Sequence, residues 1–362
     1  MSNTFKLLPA IILGMAVAGC GGSGKSDPIQ IPPNPAEKWA MATPAEVGMD
    51  AAMLEKAVST LPASHGLASM IVLRRGKPVL EQYWNGYDKD TMHDLRSATK
   101  SITALMVGIA TDQKLLGGAD EALALRLEGA YPNASALRQN MRLRDLLTMS
   151  SGLACDDDDG SSPGNEEKMY PKADWIGFFV NLPSIAAPGT RTRYCTAGVV
   201  ALGRVVSEAS KKPIPEFAST NLFAPIGVNT VRWASFDGGK QTDTGGHLYM
   251  RPRDMARVGQ MVLQGGTWEG KRIVSSEWIA AATSEKTQYP SGQKYGYLWW
   301  IRQVTANGKV VNMHYANGNG GQYIFIVPEI DLVVVFTGEN YNSSKSRLPF
   351  DLMENYVFPS VR

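Results

Sequence analysis

The chain has 362 residues, 44% of them hydrophobic and 19% charged, with a formal net charge of +2. That composition is ordinary for a globular protein, and the length is enough to bury a sizeable core as one large domain or two intimate ones. A charge so near zero, with no Lys/Arg block, gives no electrostatic case for nucleic acid as a partner.

Lys6 precedes an apolar stretch, residues 7–18, too short to span a bilayer as a stable helix. It reads as the core of a signal peptide over 1–19. The stretch ends in Val17-Ala18-Gly19-Cys20, which resembles the lipobox of bacterial lipoproteins, in which Cys20 would be acylated and become the mature N-terminus. The resemblance implies a membrane partner through that lipid anchor and a periplasm-facing place in the cell envelope. With Gly21 rather than Asp after the cysteine, it implies the outer membrane over the inner. Residues 20–40 are rich in Gly, Ser and Pro and read as a flexible tether. Cys155 and Cys195 remain, an even number in an oxidising compartment. They are a possible disulfide, with two buried free thiols as the alternative.

Residues 45–60 read as a helix and 68–84 as a hairpin turning at Arg75-Gly76-Lys77. Ser and Thr at the start of an apolar run predict a helix over 97–112. From 115 to 225 the pattern is mostly helical, clearest at 142–149 and 197–210. Helices are expected again at 252–264 and 275–283. Strands follow at 295–301, 310–314, 322–327 and 331–337, the last two a hairpin, and 351–357 could be a closing helix. Strands at both ends and helices between predict an α/β sandwich from 41–114 and 231–362, with a helical domain inserted at 115–230.

Ser97-Ala98-Thr99-Lys100 sets an amine one helical turn from a hydroxyl, a rise of about 4.5 Å. A serine hydroxyl is a poor nucleophile unless something takes its proton. Burial in the apolar run that follows is expected to lower the lysine pKa far enough for that task. The N–H of Ser97, at a helix start, has no intrahelical partner and can face an oxyanion. A second match, Ser291-Gly-Gln-Lys294, lies between Pro290 and Gly296 with no helix to hold it in register.

Downstream stand Pro188-Gly189-Thr190 and Tyr194-Cys195-Thr196, the latter opening the 199–210 helix. Gly245-Gly246, Arg251-Pro-Arg-Asp254 and Ala316-Asn-Gly-Asn-Gly-Gly-Gln322 follow. Together with 146–153, these resemble the serine β-lactamase and penicillin-binding-protein superfamily over roughly residues 45–350. Within its class C-like branch the chain resembles 6-aminohexanoate-dimer hydrolase-like amidases and related esterases. The resemblance implies a β-lactamase-like α/β (α+β) fold, an antiparallel sheet flanked by helices with a mostly helical insertion. It also implies Ser97 as nucleophile and Lys100 and Tyr194 as proton-transfer partners. Gly321 or Gln322 would be the second oxyanion donor, and Thr196, Asn319 and Gly320 would bind substrate.

Two departures matter. The second motif ends in Thr196 where the family has Asn, and no Lys or His leads Gly318-Asn319-Gly320, the place of the cation that reads a penicillin carboxylate. His314, upstream, could partly substitute. The expectation is a cofactor-free serine hydrolase acting on a small ester or amide. A β-lactamase or DD-peptidase is the alternative, and a non-catalytic ligand-binding lipoprotein on the same fold is the alternative of another class. The run Asp156–159 with Gly160 and Glu166 is a poor calcium loop, because Cys155 sits first and Pro163-Gly164 breaks it. His65, His93 and His247 have no ligand spacing, so no metal is expected.

Overall fold

A computed structural model of the chain describes residues 29–30, 39–132 and 140–362. The leader and Cys20 lie outside the described residues. Within the stretch read as a tether, Ile29 and Gln30 instead pair antiparallel with Val231 and Thr230, the β-branched Ile29 finding a sheet edge.

Among the described residues the largest sheet is antiparallel and has 8 strands. These are β1 (Leu67–Arg74), β2 (Lys77–Tyr83), β3 (Thr287–Gln288), β4 (Lys294–Tyr295), β5 (Trp300–Ala306), β6 (Lys309–Gly318), β7 (Gln322–Val327) and β8 (Leu332–Gly338). Their spatial order is β3-β4-β5-β6-β7-β8-β1-β2, so β8 pairs with β1 and joins the two ends of the chain, Val334 opposite Val72.

Alternate residues of the central strands enter separate cores. Ile71, Leu73, Ile324, Ile326, Val333 and Val335 face one, while Met70, Val72, Phe325, Val327, Val334 and Phe336 face the other. A sheet covered on both faces reads as continuous apolar sequence, which is why 322–327 and 332–338 show no polar alternation. Helix α4 (Pro252–Leu263) covers the first face. Its Gly259 lets the backbone close onto the sheet, since a Cβ there would lie 2.7 Å from Val333. Helix α1 (Ala51–Ser59) and the helical segment 348–360 cover the second.

The helix expected over 45–60 is two pieces. A short 3-10 turn, Ala45–Val47, stops at Gly48 with φ 72°, and α1 starts afresh behind Asp50, whose carboxylate accepts from Ala52 N–H. The strand expected at 295–301 is likewise broken, because Gly296 to Trp299 turn the chain between β4 and β5. β6 runs on to Gly318, four residues beyond the expected end, so the first half of the Gly-rich motif is strand.

Helix α2 (Thr99–Asp112), which carries Lys100, is buried from Thr99 to Ala110, as its nearly all-round apolar sequence requires. It packs against α3 (Thr196–Ser210). Segment 243–248 is threaded between them. Thr103 donates to the Thr244 carbonyl at 2.7 Å, Thr244 to the Val199 carbonyl at 3.0 Å, and Leu248 N–H to the Thr99 hydroxyl at 3.2 Å.

Candidate active site

Ser97 sits in the short turn Arg96–Ala98 that leads into α2. The preceding Arg96 is left-handed, φ 47°, and its N–H is held by the Asp94 carboxylate at 2.9 Å. Such a non-glycine conformation costs on the order of 1–3 kcal/mol and persists because its surroundings fix it. Here the Arg96 guanidinium meets His247 at 2.7 Å and lies over the Tyr341 ring.

Lys100, one turn on and 1% exposed, donates to Ser97 Oγ at 3.0 Å and to the Gly245 carbonyl at 2.6 Å. That carbonyl is aimed by Asp243, fully buried, whose carboxylate takes the N–H groups of Gly245 and Gly246 at 3.0 and 2.9 Å and His247 Nδ1 at 2.8 Å. Burial is the strongest single influence on Lys100 and lowers its pKa. Tyr194, Glu166, Asp157 and Asp243 together outweigh it, so the net shift is upward. The expectation of a lysine neutralised by burial is therefore corrected. Tyr194 first, and then the three carboxylates, hold the Lys100 pKa above the ordinary lysine value.

Tyr194 lies just ahead of α3, its ring 4.9 Å from Lys100 Nζ. Burial pushes its phenol up, Lys100 and a hydrogen bond with Ser97 pull it back, and the net stays above the ordinary tyrosine value. Cys155 and Cys195 are joined in a disulfide, Cα to Cα 5.4 Å, which ties the Asp-rich loop to the residue beside Tyr194. Trp300 stacks on Tyr194 at 6.1 Å, and Tyr289 on Trp300 at 5.2 Å.

Ser97 and Tyr194 open into a cleft of about 660 Å³, with Trp300, Tyr315, Tyr323 and Phe350 among its walls. Asp158, Lys294, Arg302 and Arg347 also line it. Ser291 and Lys294, the second serine–lysine pair, reach this rim, where Lys294 pairs with Glu285 at 2.7 Å.

The Gly-rich motif enters at a different residue from the one expected. Asn317, Gly318 and Asn319 line the cleft with Ser97. β5 and β6 are joined by the two-residue turn Asn307-Gly308, with Ala306 opposite Lys309. The pair flanking such a turn exchanges both backbone bonds, so the odd positions of β6 face β5. β5 begins opposite Tyr315, so the next odd position, Asn317, lies past its end, where β6 packs against the Ser97 turn. Gly321 N–H instead closes a turn to the Gly318 carbonyl at 3.4 Å. Gln322 pairs with Gly318, and its side chain is fully buried against Gly338. The expectation of Gly321 or Gln322 as second oxyanion donor is therefore not matched by the geometry, and the part of the motif that lines the cleft with Ser97 is 317–319.

Of the three residues expected to bind substrate, Asn319 lines the cleft. Thr196 is fully buried, donating from its N–H to Asp157 at 2.6 Å and from its hydroxyl to Glu166 at 2.7 Å. Gly320 bridges to Asn340 and packs against the Tyr341 ring. Both are corrected from substrate contacts to supporting positions. His314 pairs with Ile301 and Ile326 within the sheet and lies outside the cleft lining.

The Asp run is partly folded into the protein. Asp156 pairs with Arg193 at 3.0 Å, and Asp157 is folded onto Thr196 and the Glu166 N–H. Sequence reasoning missed Asp157, Glu166 and Asp243 as neighbours of Lys100, and only the Asp243-x-Gly-Gly spacing signals any of them.

The family model for Beta-lactamase matches residues 54–348. The 6-aminohexanoate-dimer hydrolase of Paenarthrobacter ureafaciens is 26% identical over 293 residues, covering 74% of this chain and 71% of that protein. Among solved structures, a candidate 6-aminohexanoate-dimer hydrolase from Bacillus anthracis superposes with a TM-score of 0.73 at 18% identity, covering 91% of this chain and 89% of that one. A family VIII carboxylesterase superposes with a TM-score of 0.66 at 16% identity, covering 86% and 98%. At these identities the structural likeness speaks for the fold.

Proposed function

The chain belongs to the beta-lactamase family, and from that premise we propose that it is a serine hydrolase cleaving a small ester or amide through an acyl-enzyme on Ser97. The observation that carries this reading is Lys100 Nζ at 3.0 Å from Ser97 Oγ, with the Tyr194 ring against the same ammonium. Because the lysine is charged and donates to Ser97, the serine proton is left to Tyr194. In the reacting form Tyr194 is the tyrosinate, stabilised by the Lys100 ammonium; Oγ attacks the carbonyl carbon as its proton moves to the tyrosinate oxygen, leaving Tyr194 a neutral phenol. The oxyanion lies between the N–H of Ser97 and one from 317–319. Collapse expels the alcohol or amine with the proton from Tyr194, and water then takes the same path in deacylation.

A 6-aminohexanoate-dimer hydrolase and a carboxylesterase among the relatives favour an amide or ester. Asn317-Gly318-Asn319 offers no cation at the strand end, which disfavours a β-lactam carboxylate there. Arg302 and Arg347 on the cleft wall keep β-lactamase or DD-peptidase action as the second reading. The leader and Cys20 complete the proposal as a lipid-anchored protein of the cell envelope. A panel of p-nitrophenyl esters, short amides and a chromogenic cephalosporin tests it. Turnover of an ester or amide that disappears in Ser97→Ala supports the reading, and turnover confined to the cephalosporin replaces it with the second.

A further inference from the structure

The second motif departs from its family at Thr196, and what stands around that threonine is specific. Thr196 opens α3 fully buried, and its hydroxyl donates to Glu166 Oε2 at 2.7 Å. The same carboxylate oxygen takes the Tyr170 hydroxyl at 3.1 Å. On its other side Thr196 is packed against Gly245, where a Cβ would fall 2.6 Å from Thr196 Cγ2. Gly245 in turn supplies the carbonyl that holds Lys100. A continuous set of contacts therefore runs from Glu166 through Thr196 and Gly245 to the amine beside Ser97.

We propose that Glu166 is a positioning residue of the reaction, holding Lys100 charged and in place through Thr196 and its own negative charge. The inference rests on the reading of Ser97 as nucleophile. The other two carboxylates near Lys100 are engaged with backbone. Asp243 is closed on Gly245, Gly246 and His247, and Asp157 on the N–H groups of Thr196 and Glu166. Glu166 is met through hydroxyl groups alone at the oxygen facing Thr196 and Tyr170, so a neutral amide oxygen can keep those bonds while the charge is lost. The groups facing this cluster are Tyr194 from the segment before α3, Asp157 and Asp158 from the disulfide-tied loop, Tyr170 beyond it, and Asp243 with His247 and Arg96 behind Lys100.

The test is the rate of Ser97 labelling by a fluorophosphonate across the pH range, in wild type, Glu166→Gln and Thr196→Val. Labelling declines on the alkaline side as Lys100 loses its proton. Removing a nearby negative charge makes the ammonium easier to deprotonate, so Glu166→Gln moves that midpoint to lower pH by about 1 unit or more. Thr196→Val, which keeps the charge but cuts its hydrogen bond, moves it in the same direction. Profiles that differ only in height, with the wild-type midpoint kept in both variants, overturn the proposal. Absence of labelling in wild type would instead overturn the hydrolase reading itself.

Discussion

Gly318 abuts the carbonyl of Leu95, two residues before Ser97, so closely that a Cβ at Gly318 would fall 2.0 Å from that oxygen. The end of β6 is thereby pressed against the Ser97 turn, and 317–319 line the same cleft as Ser97. The contact, and not backbone conformation, demands glycine here, since Gly318 is absent from the positive-φ positions.

Gly318→Ala is therefore expected to push strand and turn apart. Overpacking of this kind costs about 1–3 kcal/mol of stability. Displacing an oxyanion donor costs about 100-fold or more in kcat. Steady-state kinetics beside thermal melts will separate the two, and a variant with full activity would remove 317–319 from the site.

Tyr194→Phe keeps the ring stacked on Trp300 and against Lys100 while deleting the phenol oxygen. Loss of a general acid–base group lowers kcat by about 100- to 10,000-fold. KM should stay near the wild-type value, because the wall of the cleft is unchanged. A variant with wild-type kcat would show that Lys100 alone moves the proton.

The Cys155–Cys195 bridge closes a separation of 40 residues. Constraining an unfolded loop of that length contributes about 4 kcal/mol in the chain-entropy account. Reduction, or the double change to serine, should lower the melting temperature. It should also depress turnover, since the bridge holds the Asp157 loop against Thr196 and the residue after Tyr194. Equal activity in oxidised and reduced protein would show that the bridge serves stability alone.

Burial, and then the charge of Glu166, push the Asp157 carboxyl up from its ordinary value of 3.8 to about 6. A carboxyl raised in the folded state binds its proton more tightly there than when unfolded. Its contribution is favourable at low pH and is lost as pH rises from about 4 to about 6, after which it is flat. The stability difference between wild type and Asp157→Asn, followed by denaturant titration, should therefore fall across that window. A difference that is constant from pH 4 to pH 7 contradicts the assignment.

The grouping of Ser97, Lys100 and Tyr194 was legible because Ser97 and Lys100 lie one helical turn apart and Tyr194 sits at the mouth of a second helix, both local relations. The sheet was legible from its β-branched runs, although β6 outlasted its apolar alternation and carried Asn317 and Gly318 with it. That extension is why the part of the motif lining the cleft was sought too late in the sequence. The upward pull on the Lys100 pKa was not legible. It comes from Tyr194 and then from Glu166, Asp157 and Asp243, which lie far apart in the chain. Thr196 was misread for the same reason, since nothing local to it reveals Glu166 as its partner.

The central claim is that Ser97 is an activated nucleophile, and intact mass after exposure to a fluorophosphonate tests it most directly. Wild type should gain a single adduct, and Ser97→Ala, folded with its disulfide intact, should gain none. No adduct on folded wild type, or the same adduct on Ser97→Ala, would contradict the account.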